Sequence, residues 1–303
     1  MQIEDVLVIG AGPAGLAAAL QARRHRLRVR VFERTQPGGL LWNANRVENY
    51  PGFPNGITGP DLVQIFLAQA SAGGVQITPE EVLALTYESG LLNAATPQAT
   101  YRARAVIIAS GTRPRLFSDF QVPETLQERV VYAVAGLNGL MGRQFVIVGS
   151  GDAAFDYALN LARQNSVIIL NRGERVKCLP LLWKQAQTCK NIDYRPATAI
   201  ARLEALPAGG MTVECSSPHG PLVLQADYLV GAIGRDPALE FVAAELQHQS
   251  SELENRGILH FIGDVKNGSY RQTAIAVGDG IRSGMCIARA LKELADESDR
   301  LDR

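Results

Sequence analysis

The chain has 303 residues, of which 47% are hydrophobic, and its 30 Lys and Arg residues balance its 30 Asp and Glu residues. This length predicts about two domains with sizeable cores, and the charge balance excludes an overall field that attracts nucleic acid or an anionic membrane. Residues 1–5 lack signal-peptide features and the apolar runs are strand-sized, which predicts a cytoplasmic protein with no membrane span.

The chain begins with a strand, a glycine turn and a helix. Residues 6–9 form an apolar run, and the sequence Gly-Ala-Gly-Pro-Ala-Gly follows at residues 10–15, which we call the first glycine turn. A helix is expected to about residue 24, and a second strand at residues 28–32 leads to Glu33. This order is typical of a Rossmann unit, whose glycines admit a pyrophosphate and whose terminal carboxylate binds an unphosphorylated ribose such as that of FAD.

The same order recurs later in the chain. An apolar strand at residues 145–148 precedes Gly-Ser-Gly-Asp-Ala-Ala at residues 149–154, the second glycine turn. A helix is expected to about residue 164, and a strand at residues 167–170. The duplication predicts an α/β protein with two Rossmann-like three-layer nucleotide-binding domains.

Two strands that end in a small-residue turn and a proline, residues 105–114 and 228–237, bracket the second unit. We interpret them as the places where the chain crosses between domains. The second domain, residues 114–237, is therefore predicted to be inserted in the first, residues 1–113 and 238–303.

The end of the last strand of the second unit bears on which dinucleotide binds there. The strand ends at Asn171 rather than at a carboxylate, and the cations Arg172, Arg175 and Lys177 follow, which favours a 2′-phosphate and hence NADPH, with NADH as the alternative. The predicted NAD(P)-binding residues are Gly149, Ser150, Gly151, Asp152, Ala153, Arg172 and Lys177.

The four cysteines, Cys178, Cys189, Cys215 and Cys286, are too far apart in sequence to form a Cys-x-x-Cys pair, and with the four scattered histidines they predict no metal site. Cys178 and Cys189 flank a predicted helix at residues 179–188, and a disulfide between them stays open. Cys178 is placed at the N-terminus of that helix, where the pKa of a thiol is lowered.

Motifs from both ends of the chain resemble the low-molecular-weight thioredoxin reductase family. They are Pro-Gly-Gly-Leu-Leu at residues 37–41, Val-Glu-Asn-Tyr-Pro-Gly-Phe-Pro at 47–54, Thr-Gly-Pro-Asp-Leu at 58–62, Gly-Asp-Val at 263–265, Arg-Gln at 271–272 and Ala-Val-Gly-Asp-Gly at 276–280. The resemblance implies that Asp264 binds the ribityl chain of FAD and that Arg271, Gln272 and Thr273 lie at the isoalloxazine. It also implies a homodimer through the FAD domains. Leu40 departs from the family, which usually has Gln there.

The first glycine turn and this resemblance together give the predicted FAD-binding residues. They are Gly10, Gly12, Pro13, Ala14, Gly15, Glu33, Arg34, Gly39, Leu40, Leu41, Asn49, Val82, Ala109, Gly111, Asp264, Arg271, Gln272 and Thr273.

The chain departs from that family just ahead of the second glycine turn, where thioredoxin reductases carry a Cys-x-x-Cys dithiol. Residues 130–136 read Val-Val-Tyr-Ala-Val-Ala-Gly and contain no cysteine. Electrons therefore cannot leave a flavin through an internal dithiol, and direct reduction of thioredoxin by the usual route is not expected. The sequence predicts an enzyme, a FAD-dependent oxidoreductase that moves electrons between NAD(P)H and a separate acceptor such as ferredoxin, a quinone, oxygen or a small disulfide.

Three alternatives stay open. One is a disulfide oxidoreductase with a second FAD in the second domain and Cys178 and Cys189 as redox thiols. Another is a ferredoxin–NADP reductase, because the pattern of Asp152 and Asp156 resembles that of the thioredoxin-reductase-like members of this class. Such enzymes often stack a C-terminal aromatic residue on the flavin, and residues 295–303 contain none. The third is a non-catalytic flavin-binding redox sensor. No acid–base catalytic residue is assigned, because hydride transfer is the chemistry of the cofactors.

Overall fold

A computed structural model describes residues 3–301, with side chains described to residue 296, and it divides into two compact units. The first unit comprises Met1–Trp42, Val47–Arg113 and Pro237–Arg303, and the second comprises Asn43–Arg46 and Pro114–Asp236. The prediction about aromatic side chains in residues 295–303 falls partly outside the described residues, since the side chains of residues 297–303 are not described.

The first unit begins with the predicted strand–turn–helix–strand order. Its elements are β1 (Glu4–Ile9), α1 (Pro13–Arg24), β2 (Val29–Phe32), α2 (Gly59–Ala72), β3 (Gln76–Thr78), β4 (Ala84–Glu88), β5 (Leu91–Ala95), β6 (Thr100–Ile108) and β7 (Thr112–Pro114). Strand β1 pairs in parallel with both β2 and β6. Because it is central in the sheet, its apolar side chains Val6, Leu7 and Val8 are fully buried.

The second unit repeats this order and adds an antiparallel sheet. Its elements are β8 (Val130–Val131), β9 (Gln144–Val148), α3 (Asp152–Leu161), β10 (Ser166–Leu170), α4 (Pro180–Thr188), β11 (Ile192–Arg195), β12 (Ala199–Ala205), β13 (Met211–Ser217), β14 (Gly220–Ala226) and β15 (Tyr228–Gly231). A five-stranded parallel sheet runs in the order β11-β10-β9-β15-β8, and β12, β13 and β14 form the antiparallel sheet.

Strand β16 (Arg235–Pro237) ends at Pro237, where the chain returns to the first unit, and α5 (Ala244–Asn255), β17 (Leu259–Phe261) and α6 (Thr273–Leu301) complete that unit. The strand order in this unit is β3-β2-β1-β6-β5-β4, with β17 paired to β6. Helix α6 packs closely on α1, since a Cβ at Gly280 would lie 2.3 Å from the backbone oxygen of Ala14. Within the residues that the structure describes, no helix is long and apolar enough to cross a membrane.

Helix α3 is shorter than predicted, because a buried asparagine ends it. The sequence pattern extends the helix to about residue 164, whereas the structure ends it at Leu161. The Nδ2 atom of Asn165 donates to the carbonyl oxygens of Leu161 and Leu140, both at 2.9 Å. A side chain that binds the terminal carbonyl groups satisfies acceptors that a longer helix would otherwise use.

Residues 43–46 belong to the second unit, whereas the sequence places them in the first domain. The buried Oδ1 of Asn43 accepts hydrogen bonds from the backbone N–H groups of Val134 at 2.7 Å and Ala135 at 3.0 Å. The backbone N–H of Asn45 donates to Asp156 at 2.9 Å. These polar contacts, which join residues remote in sequence, are the physical reason for the difference.

Candidate functional site

Two glycines of the first glycine turn are required by the fold itself. Gly10 has φ +105°, and a Cβ there would lie 2.3 Å from the backbone oxygen of Ala109. A Cβ at Gly15 would lie 1.9 Å from the backbone oxygen of Gly10. Both positions therefore exclude every larger residue, because the turn and the helix pack backbone against backbone.

Gly12, between them, is different. Its φ of −75° is accessible to any residue, and a Cβ built there would meet no atom of the described residues within 4 Å. Gly12 is the N-cap of α1, and no side chain in the described part of the chain caps that helix end. A glycine that the fold does not require, beside an uncapped helix N-terminus, fits a pyrophosphate bound over the turn.

Glu33 and Gly39 lie against the same turn. The Oε2 of Glu33 accepts from the backbone N–H of Ala11 at 3.0 Å, and its Oε1 accepts from the backbone N–H of Thr35 at 3.0 Å. Gly39, with φ +59°, begins a short 3₁₀ helix (Gly39–Asn43), and a Cβ there would lie 3.3 Å from the Cα of Gly12. The structure thus brings these predicted FAD-binding residues together around one turn.

The C-terminal motif reaches this turn as well. A Cβ at Gly263 would lie 2.8 Å from the Cβ of Ala14, so the loop that carries Asp264 lies at the start of α1. The Oδ2 of Asp279 accepts from the backbone N–H of Gly263 at 3.1 Å and from the Nδ2 of Asn267 at 2.6 Å. Asp279 belongs to the motif at residues 276–280, and the sequence predicts no role for it. The structure shows that it holds the Gly263 loop.

The remaining predicted FAD-binding residues occupy several places in the first unit. Asn49 donates through Nδ2 to the Oε1 of Gln272 at 2.8 Å, just ahead of α6, which begins at Thr273. Arg34 lies apart from this cluster, exposed and paired with Glu81 at 3.6 Å. Of the others, Pro13 is in the first turn of α1, Leu40 and Leu41 are in the 3₁₀ helix, Val82 and Ala109 are buried, Gly111 has φ +67°, and Arg271 precedes Gln272.

The second glycine turn divides its glycines in the same way. Gly149 has φ +154°, and a Cβ there would lie 2.5 Å from the backbone oxygen of Ala232. Gly151 has φ −94°, and its Cβ would meet no atom within 4 Å among residues 3–301. Gly151 is the N-cap of α3, which likewise has no side-chain cap in the described chain. This turn also fits a bound pyrophosphate.

A loop between β10 and α4 folds back onto the second glycine turn. The backbone N–H of Lys177 donates to the backbone oxygen of Ser150 at 2.8 Å. The Oδ1 of Asp152 accepts from the backbone N–H of Leu179, also at 2.8 Å. Two predicted NAD(P)-binding residues, Ser150 and Asp152, therefore position the start of α4. Ala153 follows in the first turn of α3.

Asn171 uses its side chain to shape this loop. Its Nδ2 donates to the backbone oxygen of Arg175 at 3.0 Å and to the hydroxyl of Tyr194 at 2.9 Å, and its Oδ1 accepts from the backbone N–H of Gly173 at 3.0 Å. Arg172 points outward and pairs with Asp119 at 3.1 Å. Asp119 is not predicted from the sequence, because it is distant from Arg172 along the chain and belongs to no motif.

All four cysteines, which lie within the described chain, are free thiols. Cys178 and Cys189 lie at opposite ends of α4, whose nine residues span about 13.5 Å, well beyond the roughly 7 Å that a disulfide tolerates between Cα atoms. The predicted lowering of the Cys178 pKa is wrong. Burial and the nearby Asp152 carboxylate raise the pKa of that thiol, and this outweighs its backbone hydrogen bonds.

Residues 130–136 have a packing role in the second unit. Val130 and Val131 form β8, which pairs in parallel with β15. The hydroxyl of Tyr132 accepts from the backbone N–H of Phe117 at 2.9 Å, and Val134 is fully buried. Among the residues that the structure describes, no group of three or more His, Cys, Asp or Glu side chains could hold a metal ion.

Asp156 in α3 has a strongly shifted pKa. The pKa is raised to about 6, mainly by burial and to a smaller extent by the nearby Asp152, against the lowering effect of the backbone hydrogen bonds from Asn45 and Arg46 and of the charge of Arg163. Between pH 3.8 and about 6, the carboxyl group of Asp156 is therefore protonated in the folded protein and ionised in the unfolded chain. The stability that this proton contributes is fully present below pH 3.8 and is lost as pH rises through about 6.

We expect Asp156→Asn to abolish this loss. Above pH ~6 the variant should be more stable than wild type by up to about 3 kcal/mol, and the difference should shrink as the pH falls towards ~4. Urea unfolding of both proteins at several pH values measures it. Asp193→Asn removes an exposed carboxylate from the same unit and should show no such trend. An equal effect of Asp156→Asn at every pH would contradict the assignment.

Two Rossmann-like domains, each with a glycine turn at a helix N-terminus, define this chain as an α/β protein of the two-domain nucleotide-binding type, which is the fold that its sequence predicts. The chain belongs to the pyridine nucleotide-disulphide oxidoreductase family, whose model matches residues 4–280. The resemblance inferred from the motifs is confirmed at the level of this family.

A curated relative supports this placement, and two solved structures share the fold. Thioredoxin reductase from Mycolicibacterium smegmatis is 32% identical over 311 residues, which cover 96% of this chain and 97% of the relative. Thioredoxin reductase from Lactococcus lactis in its FR conformation has a TM-score of 0.85 at 23% identity, over 96% and 99% of the two chains. Bacillithiol disulfide reductase Bdr from Bacillus cereus has a TM-score of 0.75 at 16% identity, over 95% and 99%. The two structures show the likeness of fold alone.

Proposed function

We propose that the protein is a FAD-dependent oxidoreductase that moves electrons between NAD(P)H and a separate acceptor. The observation that carries the proposal is the pair Gly12 and Gly151. Each is a glycine that the fold does not require, and each lies at an uncapped helix N-terminus. A chain with two such turns is suited to hold two dinucleotides at once.

The first unit would hold FAD. The backbone at Gly12 and the first turn of α1 would bind the pyrophosphate, and Glu33 would accept hydrogen bonds from the adenosine ribose. Asp264 would bind the ribityl chain, with Arg271, Gln272 and Thr273 at the ring system. The N-terminus of α6 favours negative charge nearby, since its N–H groups and dipole are positive. FAD, when bound, supplies the two-electron chemistry.

The second unit would hold the nicotinamide nucleotide. Gly149, Gly151 and the first turn of α3 would bind its pyrophosphate, as in the first unit. The strand before Arg172 ends in Asn171, which has no charge to repel a 2′-phosphate, and Arg172 and Lys177 supply positive charge. NADPH is therefore the proposed ligand, with NADH as its competitor.

The electrons would leave the flavin without an internal dithiol. Residues 130–136 contain no cysteine, and α4 separates Cys178 from Cys189. The proposed acceptor is therefore a separate molecule such as ferredoxin, a quinone, oxygen or a small disulfide. A homodimer through the FAD-binding units, on the family resemblance, and a cytoplasmic location, on the absence of signal-peptide features in residues 1–5, complete the proposal.

We expect anaerobic NADPH to bleach the flavin absorbance of the purified protein, and to do so equally well when all four cysteines are replaced by serine. The reason is that hydride passes between the two nucleotides and needs no thiol. The experiment is a cofactor inventory, which should give about one FAD per chain, followed by anaerobic titration with NADPH and with NADH.

Other outcomes would count against the proposal. Two flavins per chain, with electrons supplied by a dithiol and lost in the serine variant, would support a disulfide enzyme instead. A bound flavin that neither nicotinamide nucleotide reduces would support a redox sensor.

A further inference from the structure

The carboxylate of Asp119 lies beside Arg172, the cation that is proposed to bind the 2′-phosphate of NADPH. The Oδ2 of Asp119 is 3.1 Å from the guanidinium of Arg172. The side chains of Arg172 and Asp119 are 78% and 70% exposed, so a ligand reaches both without any opening of the fold. An exposed ion pair of this kind contributes little to stability. Its carboxylate nevertheless changes the charge that an anion bound at Arg172 would meet.

The loop that carries Asp119 is held in place by aromatic side chains on both sides of it. The ring of Phe117 lies 4.9 Å from that of Phe120 and 5.3 Å from that of Tyr132, measured between ring centres. The backbone N–H of Phe117 donates to the Tyr132 hydroxyl at 2.9 Å. A Cβ at Gly231 would lie 2.5 Å from the Tyr132 ring, so the sheet leaves room for this packing. The loop packing therefore holds the backbone of Asp119 in a fixed position.

The loop that carries Arg172 is fixed as well. The buried Asn171 binds the backbone of Gly173 and Arg175 with its side chain. The backbone N–H of Ala197 donates to the carbonyl oxygen of Gly173 at 2.9 Å. The meeting of Asp119 and Arg172 thus follows from two anchored loops of the second unit.

We propose that Asp119 is a specificity-determining residue that weakens the preference for a 2′-phosphorylated nucleotide. This inference rests on the proposed function, in which the second glycine turn binds NAD(P)H. A 2′-phosphate that approaches Arg172 meets the negative charge of Asp119, and it must compete with that carboxylate for the guanidinium. A 2′-hydroxyl, in contrast, can donate a hydrogen bond to the same carboxylate. The Asp119–Arg172 pair therefore accepts both NADPH and NADH and reduces the difference between their affinities.

The test compares two probes on the FAD-loaded protein by calorimetric titration. Adenosine 2′,5′-bisphosphate represents the adenosine half of NADPH, and adenosine 5′-monophosphate represents that of NADH. Asp119→Asn should raise the ratio of their affinities in favour of the bisphosphate by about fivefold, because it removes one like charge near the phosphate. Arg172→Gln should lower the ratio. Asp193→Asn, which breaks another exposed Asp–Arg pair of this unit, should leave it unchanged.

The outcomes distinguish the role of Asp119 from nucleotide binding by the second unit. A ratio in Asp119→Asn that equals the ratios of wild type and Asp193→Asn would overturn the role of Asp119 while leaving nucleotide binding intact. Failure of wild type to bind either probe would overturn the proposed function of the second unit, and the role of Asp119 with it. A circular dichroism spectrum identical to wild type keeps the comparison free of folding effects.

Discussion

Gly12→Val is expected to weaken FAD binding at least about 100-fold while the first unit still folds. The valine side chain would occupy the space over the turn where the pyrophosphate is proposed to lie. The backbone itself accepts the change, because φ at Gly12 is −75° and a Cβ meets no neighbour within 4 Å in the described chain. Loss of glycine from this N-cap position costs about 1 kcal/mol or less. Flavin content after purification and FAD titration of the apoprotein measure the effect.

Gly151→Val is the matched control, because it makes the same change at the corresponding position of the second turn. It should leave flavin content at the wild-type level and abolish reduction of the flavin by NADPH, whereas Gly12→Val removes the flavin itself. If the two variants lost flavin equally, the assignment of one dinucleotide to each turn would be wrong. If Gly12→Val kept its flavin, the fit of the first turn to a pyrophosphate would be refuted.

Gly280→Ala is expected to destabilise the first unit by about 2–4 kcal/mol, although alanine usually stabilises a helix. A Cβ at this position would lie 2.3 Å from the backbone oxygen of Ala14 and 2.9 Å from the Cβ of Ala17. Backbone atoms of α1 cannot move aside without disturbing the glycine turn that precedes that helix. Urea unfolding of the apoprotein measures the loss, and flavin content should fall with it.

Gly278→Ala, two residues earlier in α6, is the matched control. A Cβ there meets no atom within 4 Å among the residues described, so only helix propensity acts. This variant should be as stable as wild type or more stable by up to about 1 kcal/mol. Equal destabilisation by both substitutions would show that close packing of α6 on α1 is not the cause.

The sequence predicts the parts of the fold that local patterns encode. Apolar runs and glycine turns locate β1, α1, β9 and α3, because a buried parallel strand and a tight turn each leave a mark in a few adjacent residues. The end of α3 is less well predicted, since it depends on a hydrogen bond from Asn165 that the helical pattern does not reveal.

Contacts between remote residues account for what the sequence does not predict. Asn45 and Asp156 are separated by 111 positions, and Asp119 and Arg172 by 53, so no pattern within either segment indicates the pairing. The prediction that the pKa of Cys178 is lowered is wrong for the same reason, since it depends on contacts between remote residues. The helix N-terminus is visible in the sequence, whereas the burial of the thiol and the nearness of Asp152 are not.

The division of labour among the glycines has a consequence for the evolution of this duplicated architecture. The conformation of the two turns requires glycine at Gly10 and Gly149, whereas it does not require glycine at Gly12 and Gly151. A descendant chain could therefore acquire a bulky residue at either of the latter positions and retain its fold while one ligand is lost. Among related chains, we expect the residues at these two positions to indicate which domains still bind a nucleotide. Overall sequence similarity should indicate this less well.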